Sequence, residues 1–325
     1  MRTGRVRIEG PACYHVITRL VAGTPRLPAG EKEAFRRLMR AYETFCGVRV
    51  LTYALMGTHV HLLVEVPAPE PVGEAELVRR MRAIYPGREL RLRLAQWAQW
   101  RASGREEDVR AEQARLRARM YDLSAFMKPL KQRFSQGYNR RMGRRGTLWE
   151  DRFKSLVVER GKDALCTVAA YIDLNPVRAG LAQDPKAYRW SGYAEALGGS
   201  ARAREGLARV LWPDGAAAWS RVQAAYRRML LGSGEAPVDA ARVARVLREG
   251  GRLSRAELLR CRVRYFSDGV ALGSRAFVNA VVAQNRRHFG PGRTEGARAL
   301  RYGDWGGLFG ARDLRLAPIQ ASPGG

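Results

Sequence analysis

Acidic residues are scarce in this chain. Thirty-one Asp and Glu stand against 58 Lys and Arg, which leaves a formal net charge of +27 over 325 residues. A folded protein with that much self-repulsion is matched to a polyanion, and nucleic acid is the first partner it points to. Lysine is nearly absent as well, at six of the 58 basic residues. A GC-rich genome explains that preference for arginine but not the missing acids. Long apolar runs are also lacking. No stretch reaches the about 18 residues that a membrane-spanning helix needs, so no membrane role is expected. Residues Met1–His15 have no apolar core of signal-peptide type, and the expected location is cytoplasmic, beside the bacterial nucleoid. The four cysteines, Cys13, Cys46, Cys166 and Cys261, lie far apart with no CxxC pair. That excludes a zinc finger and a disulfide framework, and it suits a reduced compartment. What remains, 46% hydrophobic, is the composition of a folded protein long enough for two domains or for one domain with large additions.

The hydrophobic pattern predicts a strand over Ala12–Leu20, a helix from about Glu31 to Phe45, and strands over Val48–Met56 and His59–Val66. A Pro-rich linker, Pro67–Val72, leads into an arginine-rich helical arm at about 72–142, read as two or three helices broken at Tyr85-Pro86-Gly87 and Ser103-Gly104. A further strand is expected over Phe153–Glu159, and a helix over Asp163–Asn175 that stops at Pro176. The fold class is therefore α+β, a ferredoxin-like antiparallel sheet with helices carrying a helical insertion. That domain is placed at residues 1–198. Residues 199–325 read as a mainly helical, basic C-terminal region with eight arginines crowded between Arg242 and Arg264. In it Ser254-Arg255-Ala256-Glu257 forms a capping box, Ser274 caps a helix running through Phe289, and two short helices separated by YFSDGVALG (Tyr265–Gly273) give a weak helix-turn-helix signal. Residues 317–325 read as a frayed tail.

Two of the chain's four histidines share one short window, His59-Val60-His61. Side chains alternate along a strand, so His59, His61, Leu63 and Glu65 share one face, and Val60, Leu62, Val64 and Val66 form the apolar other. The two imidazoles lie roughly 7 Å apart at Cα, close enough to share a cation, though further oxygen ligands would be needed. Two half-buried histidines at a sheet edge would look the same. Tyr171 and Asn175 stand four apart, on one line of a helix whose buried stripe is Leu165, Val168, Ala169 and Ile172. A tyrosine can attack a phosphodiester, and an amide oxygen one turn on can ligate the ion polarising it. Equally, Tyr171 fits as an ordinary amphipathic-helix residue with Asn175 ending the helix.

Three segments taken together, ALMGTHVHLLVEV, GTLWEDRFKSLVVE and YIDLNPVRAGL, resemble the single-tyrosine HUH transposases, in their REP-associated tyrosine transposase branch. The likeness covers roughly residues 8–197, with Tyr188-Arg189-Trp190-Ser191 near its end. It implies the HUH nuclease fold and an Mg²⁺ or Mn²⁺ ion held by His59, His61 and Asn175. It also implies Tyr171 as the nucleophile, hairpin-bearing single-stranded DNA as substrate, and a covalent 5′-phosphotyrosine intermediate with a free 3′-OH. The turn before the histidines, usually Pro-Asn or Pro-Glu in the family, is Gly57-Thr58 here, a departure expected to alter only the turn.

Arg133, Arg140, Arg141, Arg144, Arg145 and Lys154 are the candidate phosphate contacts, with Tyr138, Phe134 or Trp149 available to stack on bases. A solvated basic helix would look the same, and Trp149 reads first as a core residue, because LWEDRF leads directly into a strand. Tyr138 and Tyr121 compete with Tyr171 as nucleophile, and neither has a metal-capable amide one turn on. His15 and Arg19 share a face of the first strand and could lie next to the histidine pair, though His15 fits equally as a satisfied sheet histidine. Two other readings stay open. One is a domesticated binder of structured single-stranded DNA or RNA with idle chemistry. The other is an HUH replication initiator or relaxase. A homodimer and a monomer fit equally.

Overall fold

The computed structural model describes residues 6–215, 217–231, 240–249, 252–289, 296–311 and 319–320. The chain runs β1 (Ala12–Arg19), α1 (Ala29–Cys46), β2 (Arg49–Leu55), β3 (His59–Val66), α2 (Glu74–Ile84), α3 (Gly87–Ala102), α4 (Glu106–Arg117), α5 (Leu123–Arg141), β4 (Lys154–Val158), α6 (Lys162–Asp173) and α7 (Asn175–Arg178). It continues through α8 (Gly192–Leu197), α9 (Ala201–Leu211), α10 (Trp219–Leu231), α11 (Ala240–Glu249), α12 (Arg255–Arg260), β5 (Arg262–Val263), α13 (Arg264–Asp268), β6 (Ala271–Gly273), α14 (Arg275–Gln284), β7 (Arg298–Ala299), β8 (Phe309–Gly310) and β9 (Ile319–Gln320). Helical turns at Pro185–Ala187 and Arg286–His288 complete it.

The fold is α+β. A seven-stranded sheet has the order β2-β3-β1-β4-β6-β8-β7, and its first four strands follow the ferredoxin-like arrangement. β1 and β4 pair antiparallel, with His15 opposite Leu156 and Ile17 opposite Lys154. The strand ACYHVITR is β-branched and aromatic, and it is buried along almost its whole length. Gly57-Thr58 closes the turn between β2 and β3, where the Met56 amide donates to the His59 carbonyl at 2.9 Å.

Two compact units divide the chain. One comprises residues 1–26, 50–65 and 150–325, the other 27–49 and 66–149. The expected boundary near residue 198 is not where they part. The second unit contains the arm together with α1, whose apolar positions Phe35, Met39, Tyr42 and Phe45 recur at helical spacing and are buried. Gly47, in the left-handed region at φ 66, ends that helix with its amide on the Glu43 carbonyl. The arm holds four helices rather than two or three. The break between α4 and α5, at 118–122, has no Pro or Gly to announce it. Asp122 there caps α5 by accepting from the Ala125 amide.

Within the first unit, both faces of β3 are covered, and Val60 through Val66 are all buried. From the sequence only the opposite face, Val60, Leu62, Val64 and Val66, reads as apolar. Leu63 instead joins a core cluster with Val168 and Ile172 of α6 and Leu207 of α9. Glu65 is paired with Arg160 at 3.2 Å and Arg209 at 3.8 Å. The C-terminal part is not purely helical. β6 pairs parallel with β4, Ala271 opposite Val157 and Leu272 opposite Val158, and β8 pairs with β6. This removes the helix-turn-helix reading of Tyr265–Gly273, because ALG is a strand of the main sheet. The Ser254–Glu257 capping box and the Ser274 cap are both present, and α14 ends at Gln284. Of the expected tail, 317–325, all but 319–320 lies outside the described residues.

Candidate active site

Four side chains meet on the first unit's sheet. β3 brings His59 and His61 together with ring centroids 5.0 Å apart and planes at 80°. β1 brings His15 alongside, stacked on His61 at 5.1 Å. α6 lays the Tyr171 ring edge-on to both, 6.1 Å from His61 and 6.1 Å from His15. The sequence-predicted nucleophile and the predicted histidine pair, far apart along the chain, are therefore neighbours. Asn175 is buried one turn beyond Tyr171, and its Nδ2 donates to the Tyr171 carbonyl at 3.3 Å, which leaves its Oδ1 as the free acceptor.

Pro176 shapes this corner differently from the expectation. Lacking an N–H, it ends the α6 ladder but is well placed in a new first turn, so the chain re-enters a helix as α7 rather than leaving it. That second turn carries Arg178, which the sequence reading did not single out. Its guanidinium lies over the Tyr171 ring with Cζ 4.0 Å from the centroid. The same group donates to the Tyr171 carbonyl at 2.6 Å and to the Leu259 carbonyl at 2.6 Å. Phe266 packs against the other aromatic edge at 4.9 Å.

All three histidines are held neutral. Burial pushes His15 down to about 3. His59 falls to about 4, through burial first and then the positive charges of Arg19, Arg178 and Arg262. His61 lies well below the usual value, again from burial and then from its histidine and arginine neighbours. A neutral imidazole is the form that ligates metal, and arginines converging from separate elements suit an incoming phosphate.

The polar atoms around the histidine pair fit an ion. His61 Nδ1 contacts His15 Nε2 at 2.9 Å, and His59 Nδ1 contacts the Thr58 hydroxyl at 3.1 Å. Both δ nitrogens are thus engaged, and both Nε2 atoms remain for a ligand. Metal-binding histidines elsewhere are held in this way through the ring nitrogen that does not bind the ion. Among the described residues no group of three His, Cys, Asp or Glu side chains converges to hold an ion. His15 adds no ligand, since Phe266 and His61 occupy both of its nitrogens. By donor chemistry alone, two imidazoles with an amide oxygen such as that of Asn175, completed by phosphate or water, suit a hard divalent ion. A cleft of about 310 Å³ opens beside His15 and Phe266, with Arg152 and Lys154 among its walls.

The arm residues divide. Arg140, Arg141 and Arg145 are exposed. Arg141 forms a two-pronged pair with Glu31 at 2.7 Å. Arg133 donates to the Ile84 carbonyl at 2.7 Å, and Arg144 to the Thr147 carbonyl at 2.8 Å. Lys154 is exposed and pairs with Asp268 at 3.3 Å. The stacking role open to Tyr138 and Phe134 does not hold, whereas Trp149 lies in the core as its place just before a strand implied. Phe134 and Tyr138 are fully buried, and Trp149 nearly so, in a cluster with Phe35. An apolar helix face read from sequence cannot tell a ring that packs inward from one that meets a base.

No protein-family model matches the chain, and no curated protein matches it. Among solved structures, it is similar to a REP-associated tyrosine transposase bound to a REP hairpin, at 14% identity and a TM-score of 0.40, over 67% of this chain and 93% of that one.

Proposed function

We propose that this chain is a metal-dependent transposase and endonuclease that cleaves and rejoins hairpin-bearing single-stranded DNA through a covalent phosphotyrosine on Tyr171. The observation that carries the reading is the meeting of the Tyr171 ring with His61, whose own ring meets His59, from separate elements. A net charge of +27 supports the polyanionic substrate.

His59, His61 and Asn175 would hold Mg²⁺ or Mn²⁺. The ion would supply Lewis-acid charge to the oxygens of the scissile phosphate. Tyr171 Oη attacks phosphorus and forms the new P–O bond while the P–O3′ bond breaks. The phenol gives up its proton, the departing 3′-oxygen takes one up, and the 5′ end remains esterified to the tyrosine. Because the ester keeps the energy of the broken bond, another 3′-OH can reverse the step and join strands without ATP. Arg178 holds the nucleophile's backbone and ring in place. Arg19 and Arg262 add positive charge near His59, where a phosphate would approach.

The test is a labelled pool of single-stranded hairpin DNAs incubated with Mg²⁺ or Mn²⁺ and run under denaturing conditions. The expected result is a covalent protein–DNA adduct, lost in Tyr171→Phe and in His61→Ala. Tight hairpin binding with no adduct would favour the binding-protein reading. An adduct that survives Tyr171→Phe would refute this assignment of the nucleophile.

A further inference from the structure

Beyond the ligand set lies the question of what prepares His61 to serve in it. His15 is wholly buried, and its Nδ1 stands 3.0 Å from the Phe266 carbonyl oxygen. A carbonyl only accepts, so His15 carries a proton on Nδ1. Its other nitrogen, Nε2, meets His61 Nδ1 at 2.9 Å. Two ring nitrogens at that separation share one proton between them. With the His15 proton already committed to Phe266, a neutral His15 offers a bare Nε2, and the shared proton belongs to His61 Nδ1. His61 Nε2 is then bare. The reverse arrangement needs a cationic His15 donating to His61, with the remaining proton of His61 on Nε2. The Phe266 carbonyl favours a proton on Nδ1, but complete burial of the ring opposes a second one. Neither hydrogen-bond partner of His15, the Phe266 carbonyl or the His61 ring, carries a negative charge to pair with a cation there.

We propose that the Phe266 carbonyl and His15 form a positioning relay that locks His61 in the tautomer with its proton on Nδ1, leaving Nε2 as a pre-formed donor for the divalent ion. The relay rests on the reading that His61 is a ligand. It gives the C-terminal part of the chain a role in the site, because its receptor is a backbone carbonyl of α13. Phe266 also packs its ring on Tyr171 at 4.9 Å, so one residue of that part touches the nucleophile and sets the tautomer of a ligand. Such outer partners typically change metal affinity by about 10- to 100-fold when removed.

The deciding experiment is a long-range proton–nitrogen correlation spectrum of the full chain, ¹⁵N-labelled at histidine and free of metal. The expected spectrum shows His15 and His61 each with a protonated Nδ1 and a bare Nε2. A proton on His61 Nε2, or rapid exchange between tautomers, overturns the proposal, and this reading needs no variant to fold. The second arm is calorimetric titration with Mn²⁺ alone. His15→Phe fills the volume without an acceptor and is expected to mix the His61 tautomers and weaken Mn²⁺ about 10- to 100-fold. His15→Gln restores an acceptor and should recover most of that loss. Unchanged Mn²⁺ affinity in His15→Phe overturns the relay. If the wild type shows the locked tautomer but takes up no Mn²⁺, the lock stands and the metal-dependent reading falls.

Discussion

Arg178 shows how much of the site depends on one side chain. Its planar fork satisfies two carbonyls, those of Tyr171 and Leu259, while its face covers the Tyr171 ring. A lysine has neither the fork nor the flat face. Arg178→Lys is therefore expected to leave one carbonyl unpaired, lower unfolding stability by about 1–3 kcal/mol in a urea titration, and reduce adduct formation further than stability alone explains. Histidine burial makes a second prediction. His15 folds with a value of about 3 against the usual 6.5. Its contribution is complete above pH 6.5 and is lost as pH falls, by about 2 kcal/mol at pH 5. Asp173 runs the other way. Burial raises it from 3.8 to about 6, so its protonation adds about 1 kcal/mol between pH 7 and 5. His59 and His61 act with His15, so the histidines win. The metal-free protein should melt at a lower temperature at pH 5 than at pH 7, and a rise would contradict this balance. The pair His59 and His61 was legible because a two-residue period fixes a shared strand face, and Tyr171 with Asn175 because a four-residue period does the same on a helix. Leu259 and the carbonyl role of Phe266 were not legible, since every residue type carries a backbone carbonyl. His15 could be placed beside the pair, but only the paired distances to Phe266 and His61 reveal what it does there.

Helix α6 is anchored more firmly than its sequence suggested. The stripe Leu165, Val168, Ala169 and Ile172 predicts one buried face, yet every residue from Ala164 to Asp173 is buried. The polar end of that burial is Asp173. Its carboxylate accepts from the Thr52 hydroxyl at 2.8 Å, the Tyr226 hydroxyl at 2.5 Å and the Tyr193 amide at 3.2 Å. Asp173→Ala would strand three donors and should cost about 3 kcal/mol or more, whereas Asp173→Asn keeps an acceptor and should cost clearly less. Equal losses in the two variants, read from urea midpoints, would show that the network does not anchor the helix. Other elements were legible to different degrees. The strand His59–Val66 has the bounds its sequence predicts, because a glycine-bearing turn precedes it and Pro67 follows. The short strand β6 was missed. Three residues, ALG, carry no strand period, and their conformation is set by pairing with β4.

Across the whole chain, the excess of 27 positive charges is the property most directly tied to a substrate. Binding to single-stranded DNA should weaken steeply with salt, at about −0.7 in the log–log slope per phosphate neutralised, or roughly −4 for six contacts. A slope near zero would remove nucleic acid as the partner. The candidate site draws on residues from both ends of the chain's order, His15 near the start and Phe266 far beyond residue 198. A chain cut at the boundary expected from sequence would lack the Phe266 and Leu259 carbonyls. The central claim, that Tyr171 becomes joined to DNA, is tested most directly by protease digestion of the adduct and mass spectrometry of its peptides. The account predicts a nucleotide on the peptide containing Tyr171, attached through a 5′-phosphate. A nucleotide on the peptide of Tyr138 or Tyr121, or on no peptide at all with intact hairpin recovered, would contradict it.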